Sequence, residues 1–411
     1  METIFQRVAG LDVHKAQVTA CVRAPGPGDQ RLCEVREFAT TVPGLLALAD
    51  WLSSWRVTDV AMEATGVYWQ PVWHILEDDF ALMLVNARHV KNVPGRKTDV
   101  ADAQWLCQLM EAGLLRSSFV PPKQQRQLRA LTRYRKTQIA ERQREANRLH
   151  KALEDTGIKL GCVASDILGK SGRAMLDALV SGTTDPEVLA DLALGKLRPK
   201  IPQLREALQG RFDGQHQILI GAILSHLDFL DRQITDLTTA IEDQMGPFEQ
   251  AGVVLACTIP GVAERAGQVF VAEIGTDMSR FPSAAHLASW AGQCPGNDQS
   301  AGKRRSGRTR KGCKWLGIAL QEAALAAIRS KDTYLAAQYQ RLKPRLGHAR
   351  AIGAVKHSML IAYWHMFTTG EAYRDLGGDY YQRRDPERAT KRLVAKLQDL
   401  GHDVTLQPRT A

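Results

Sequence analysis

The chain has 411 residues, 44% of them hydrophobic, with 54 Lys and Arg against 44 Asp and Glu and a formal net charge of +10. That length exceeds one ordinary core and predicts two or three domains at about 150 residues each, while the basic balance favours a polyanionic partner. No run approaches the roughly 18 apolar residues that span a bilayer, and Glu2, Arg7, Asp12, His14 and Lys15 stand where a secretory signal would need an apolar stretch, so no membrane association and a cytoplasmic location are expected.

Residues 6 to 40 predict three short strands, Arg7 to Val13, Gln17 to Arg23 and Cys33 to Thr40, from their alternation and β-branched content. A helix follows from Pro43 to about Trp55, then a strand from Asp59 to Glu63, a helix from Val67 to Glu77, a strand from Ala81 to Val85 and a helix from Asp99 to Ala112. The order βββαβαβα is that of the ribonuclease-H-like topology. After Pro121 and Pro122 a long basic helix runs from Lys123 to about Glu154, with Arg129 and Arg133 among its many arginines and few acids. Short helices are expected from Gly157 to Gly214, broken by Pro186, Pro199 and Pro202.

Ile220, Ile223, Leu227, Leu230, Ile234, Leu237 and Ile241 alternate spacings of three and four, the a/d seam of a coiled coil that pairs with a second chain or packs within its own. From about Val253 a mostly helical region begins, with helices predicted over Glu264 to Gly275, Ala284 to Gly292, Cys313 to Ser330, Ala349 to Thr369 and Glu387 to Leu400. The expected domains are therefore residues 1–120, 121–248 and 249–411, an α/β fold followed by α structure. Seven scattered cysteines form no CxxC pair, which argues against a zinc site and for reduced, mostly buried thiols.

Asp12 ends the first predicted strand and Glu63 the fourth, and in this topology those strands are neighbours at the sheet centre. Asp99 and Asp102 lie three apart and share one face of the following helix. Four converging carboxylates repel unless a cation lies between them, and hard oxygen donors of this kind suit Mg²⁺ or Mn²⁺. Each acid taken alone usually reads as a solvated cap; what points to a metal is their position together on three elements of one topology. His14 and Lys15 read either as substrate contacts or as exposed turn residues.

Between Lys303 and Lys314 seven of twelve positions are basic and none is acidic. Lys303, Arg304, Arg305, Arg308, Arg310 and Lys311, spaced by glycines, are expected to form a loose loop along a phosphate chain. Ser300 precedes the run, where a hydroxyl among arginines can attack phosphate, although Ser306 is equally placed. Ile259-Pro260-Gly261-Val262 resembles a helix-hairpin-helix turn whose amides grip phosphate, with Ala263 replacing its second glycine.

These residues together resemble the DEDD transposases of the insertion-sequence family numbered one hundred and ten, the bridge-RNA-guided recombinases. The resemblance runs from Gly10-Leu11-Asp12 through Glu63-Ala64-Thr65-Gly66 to Asp99 and Asp102, and again from Ile259 to about Ala327, including Phe281-Pro-Ser-Ala284, Ala288-Ser-Trp-Ala-Gly292 and Gln299-Ser-Ala-Gly-Lys-Arg-Arg305. It implies a RuvC-like N-terminal domain using Asp12, Glu63, Asp99 and Asp102 with Mg²⁺, and a C-terminal transposase domain whose serine nucleophile is Ser300. It further implies a coiled-coil dimer that becomes a tetramer at synapsis, and a noncoding guide RNA that pairs with donor and target DNA at the nucleoid. On the residues alone two other readings stay open: a structure-selective endonuclease that hydrolyses branched DNA with no covalent intermediate, and an inert nucleic-acid-binding protein.

Overall fold

The computed structural model describes residues 4–28, 30–64, 66–86, 99–296, 298–307 and 309–407, with the backbone alone for 99–101, 298–300 and 304–306. The chain divides into two compact units, Met1–Pro121 and Pro122–Ala411. The helices expected as a separate middle region lie within the second.

The first unit is a five-stranded sheet in the order β3-β2-β1-β4-β5, formed by β1 (Val8–Val13), β2 (Gln17–Pro25), β3 (Arg31–Ala39), β4 (Asp59–Glu63) and β5 (Ala81–Val85). β1 pairs antiparallel with β2 and parallel with β4, which pairs parallel with β5. Strand and helix order match the ribonuclease-H-like expectation in this unit. Side-chain alternation sorts the sheet's two faces. Ala9, Leu11 and Val13 join Val60 and Met62 under α1 (Val42–Ser54) and α2 (Trp69–Leu76). Val8, Cys21 and Ala61 face the other way and meet Ala103, Cys107 and Met110 of α3 (Asp99–Glu111).

The second unit begins with α4 (Lys123–Thr156), which ends at Gly157 in the left-handed region at φ 80°. Short helices α5 (Leu160–Val163), α6 (Lys170–Val180), α7 (Pro186–Asp191) and α8 (Ile201–Ala207) lead to α9 (Gly214–Gln244). Asp213 caps α9 by accepting from the backbone amides of Gln215 and His216. The seam of α9 packs inside the chain: Ile220, Ile223 and Leu227 are buried with Leu149 and Leu153 of α4 and with residues of the short helices. Covering that seam needs no second chain.

Helices α10 (Pro247–Ala256), α11 (Glu264–Ile274), α12 (Ala284–Trp290), α13 (Lys314–Ala327), α14 (Tyr334–Leu346) and α15 (His348–Thr369) close around Phe270, Leu287, Leu320 and Tyr363. A Cβ on Gly261, at φ 86°, would stand 2.3 Å from the carbonyl oxygen of Ala323. The turn expected to grip phosphate is therefore one that lets α13 approach closely. α10 and α14 were not foreseen as separate helices, and neither was a hairpin of β6 (Asp298–Ser300) and β7 (Lys303–Ser306). The chain continues through α16 (Tyr380–Arg384) and α17 (Pro386–Asp399).

All seven cysteines are free, but only Cys21 and Cys107 are buried. The expectation of mostly buried thiols thus fails for the five others, because the edge strand β3 leaves Cys33 exposed and helices and loops leave the rest half-covered or exposed. Among the described residues no helix is long and apolar enough to cross a membrane.

Candidate active site

The last paired residues of the two central strands are Leu11 and Met62, so the same register sets Asp12 level with Glu63 at the strands' C-terminal ends. By alternation Gly10, Asp12, Ala61 and Glu63 share the face that α3 covers. The Cys107 thiol donates to the carbonyl oxygens of Val8, at 3.5 Å, and Cys21, at 3.0 Å, while Ala103 lies against Gly10. Helix α3 therefore runs back along β1, and its first turn, with Asp99 and Asp102, lies towards Asp12. Asp102 is half-buried; the side chain of Asp99 lies outside the described residues, although its backbone opens the helix.

Asp12 is 9% exposed, and its Oδ2 lies 3.1 Å from Nε2 of the exposed His14. Thr19 pairs with Asp12 across β2, is fully buried, and has a hydroxyl with no hydrogen-bond partner among the described residues. A buried polar group costs free energy until something satisfies it, which marks this end of the sheet as a place for a polar or ionic group. Sequence reading missed Thr19, whose only signal was its inward phase on β2. Among the described residues no group of three His, Cys, Asp or Glu stands close enough together to hold a metal ion. The chemistry of the donors, carboxylate oxygens beside an unsatisfied hydroxyl, nevertheless fits a hard divalent cation.

Ser300 lies in the other unit. Its backbone pairs with Lys303, and the two residues between them, Ala301 at φ 48° and Gly302 at φ 74°, both turn through the left-handed region. Positive φ at both central positions is the type I′ geometry that suits a two-residue hairpin. The segment expected to be a loose loop is thus partly a hairpin, with Ser300 and Lys303 flanking its tip. Its base is held as well. A Cβ on Gly292 would stand 2.6 Å from the amide nitrogen of Gly312, and one on Gly312 would stand 2.2 Å from the carbonyl oxygen of Ala291. The next residue, Cys313, directs its thiol to Glu273 Oε2 at 3.2 Å, and burial with that carboxylate pushes the thiol pKa up.

Of the cations expected to meet nucleic acid, Lys303, Arg310 and Lys311 are exposed. The side chains of Arg304 and Arg305, and all of Arg308, lie outside the described residues. Arg129 and Arg133 are turned inward. Arg133 makes two hydrogen bonds to Glu273, at 2.7 and 2.8 Å, while Arg129 donates to the carbonyl oxygen of Ala272 at 2.9 Å and also to that of Glu273. Glu273 is 1% exposed and burial pushes the Arg129 pKa down to about 10, the Glu273 charge opposing that shift. Both arginines, expected to meet nucleic acid, are engaged here by a buried carboxylate of α11, a partner the acid-poor sequence of α4 gave no hint of. The pattern extends along α4, where Arg135 donates to Gln268 at 2.7 Å and Arg142 pairs with Asp231.

A family model for DEDD transposases of the IS110 type matches residues 9–158, and another, described as Transposase IS116/IS110/IS902 family, matches residues 254–340. The chain is 34% identical over 146 residues to a mini-circle transposase for IS117 of Streptomyces coelicolor, a match covering 32% of this chain and 34% of that protein. It is 26% identical over 336 residues to a protein of insertion element IS116 of Streptomyces clavuligerus, covering 70% of this chain and 78% of that one. The first model spans all four acid positions and the second spans the Ser300 hairpin, in the order the residues led one to expect, and the chain belongs to the IS110 family of insertion-sequence transposases.

Proposed function

We propose that this chain cuts and rejoins DNA to excise and insert its element, with Asp12, Glu63, Asp99 and Asp102 holding Mg²⁺ or Mn²⁺ and Ser300 as nucleophile. The observation that carries the reading is the placement of Asp12, Glu63 and the start of α3 at one end of one sheet face. A divalent cation held there would supply charge stabilisation to a reacting phosphodiester. The chain's own residues do the rest. The hydroxyl of Ser300 loses its proton and its oxygen attacks phosphorus, one ester bond to a sugar oxygen breaks, and that oxygen takes up a proton. Attack by an incoming sugar hydroxyl reverses the exchange, releases Ser300 and joins the new strands. Lys303, Arg310 and Lys311, exposed around the hairpin, bind the flanking phosphates. A noncoding guide RNA, a dimer and a synaptic tetramer complete the proposal on the strength of the family resemblance.

The test is strand transfer on an element-end substrate. Ser300→Ala is expected to lose recombination and the covalent protein–DNA adduct that survives denaturation, and Asp12→Ala to lose both as well. Recombination by Ser300→Ala at the parent rate overturns the nucleophile. Hydrolysis without an adduct, dependent on Asp12, would instead assign a structure-selective endonuclease.

A further inference from the structure

Far along the chain from the Ser300 hairpin, α14, α16, α17 and the connection from α13 to α14 enclose a cleft of about 1070 Å³. Most of its lining lies beyond residue 340, outside both matched spans. Arg388, Arg392 and Lys396 of α17 line one side, Arg341 and Arg345 of α14 the other, and Arg329 and Lys331 the connection. All seven cations are exposed. The lining acids are Asp332, Asp379 and Asp385. Asp379 is paired with Arg383 at 2.9 Å, and Asp385 caps α17 through the amide of Arg388 at 3.1 Å.

Among the described residues no carboxylate lies within 4.0 Å of any of the seven, whereas arginines elsewhere in the unit find acids: Arg133 with Glu273, Arg142 with Asp231, Arg173 with Asp228. Seven cations against three acids around one cleft leave a net positive charge whose self-repulsion a polyanion would relieve. The cleft is also held in shape. Tyr334 of α14 contacts Tyr380 and Tyr381 of α16, with ring centroids 5.1 and 5.7 Å away, and the Arg341 guanidinium lies 4.3 Å from the Tyr381 ring centre. On α17 the three cations recur every fourth residue, about 6 Å apart along the axis at a rise of roughly 1.5 Å per residue, close to the separation of successive phosphates on one strand.

We infer that this cleft is a second nucleic-acid site, which binds a phosphodiester backbone without reading bases. Arginine forks suit phosphate oxygens, and the Tyr381 ring is already engaged by Tyr334 and by the Arg341 guanidinium. The inference rests on membership of a DNA-acting family and not on the assignment of Ser300. Its test uses the full-length chain and two variants, Arg388→Ala/Arg392→Ala/Lys396→Ala and Arg341→Ala/Arg345→Ala, all at exposed positions. Anisotropy of labelled duplex DNA and of labelled single-stranded RNA, each of arbitrary sequence, is followed across a salt series. Both variants are expected to bind at least one probe more weakly, with a log–log salt slope shallower by about 0.9 per cation removed for duplex DNA, or about 0.7 for a single strand. Loss confined to one probe assigns the backbone as DNA or RNA. Unchanged affinity and slope for both probes, or an effect from one wall alone, overturns the two-walled site. Because Ser300 is intact in both variants, this failure is distinct from failure of the nucleophile in strand transfer.

Discussion

At Gly10 the sheet and α3 approach so closely that a Cβ would stand 2.4 Å from the carbonyl oxygen of Ala103 and 2.7 Å from the amide nitrogen of Cys107. Both clashing atoms are backbone, so relief requires the helix to move. Gly10→Ala is expected to cost about 1–3 kcal/mol, the usual range for overpacking, and to shift the first turn of α3, with Asp99 and Asp102, away from Asp12. Urea unfolding should show a lower midpoint, and metal-dependent strand cleavage should fall further than DNA affinity. A variant matching the parent in both would mean that this close approach does not set the helix. At this scale strand phase was enough to set Asp12 level with Glu63 on one face of the sheet, and helix spacing to give Asp99 and Asp102 one face of α3. The bond from Arg133 to Glu273 was not legible in this way, since it joins residues 140 positions apart that no local pattern connects.

The hairpin carrying Ser300 was hidden by the residues that form it, because glycine and arginine in quick succession read as loop. What makes it a hairpin is the Ala301-Gly302 turn, and Ala301 is an unusual choice there. An L-residue with a Cβ pays about 1–2 kcal/mol in the left-handed region, which asparagine enters more readily. Ala301→Asn is therefore expected to firm the turn by up to about 1 kcal/mol, read as slower amide exchange in β6 and β7. Faster exchange would show that the turn does not hold this conformation. Helix α9 teaches the converse. Its heptad spacing was fully legible, yet spacing cannot say which surface fills the seam, and here α4 of the same chain does. The alternation in β1 and β4 left no such choice, because both faces of those strands are covered.

Across the molecule the net charge of +10 does not say which cations are free to meet phosphate, since some are matched by acids and others, around the hairpin and along the cleft, are left exposed. Those of α4 were the most conspicuous in the sequence, and several are matched by acids from distant elements. Cations held by acids in this way are less available to neutralise phosphate, so they should add little to the salt dependence of affinity. Those around the hairpin are exposed, and they should dominate the dependence for DNA bound beside Ser300. Replacing Lys303, Arg310 and Lys311 with alanine is accordingly expected to flatten the log–log slope for duplex DNA by about 0.9 for each phosphate left without its cation, up to roughly 2.7. Arg142→Ala, which removes a cation already paired with Asp231, should leave the slope unchanged. The two substitutions thus separate net charge from available charge. Equal flattening by both would mean that DNA senses the summed field of the chain, whereas an effect of the hairpin set alone places its electrostatic grip at the serine's own turn.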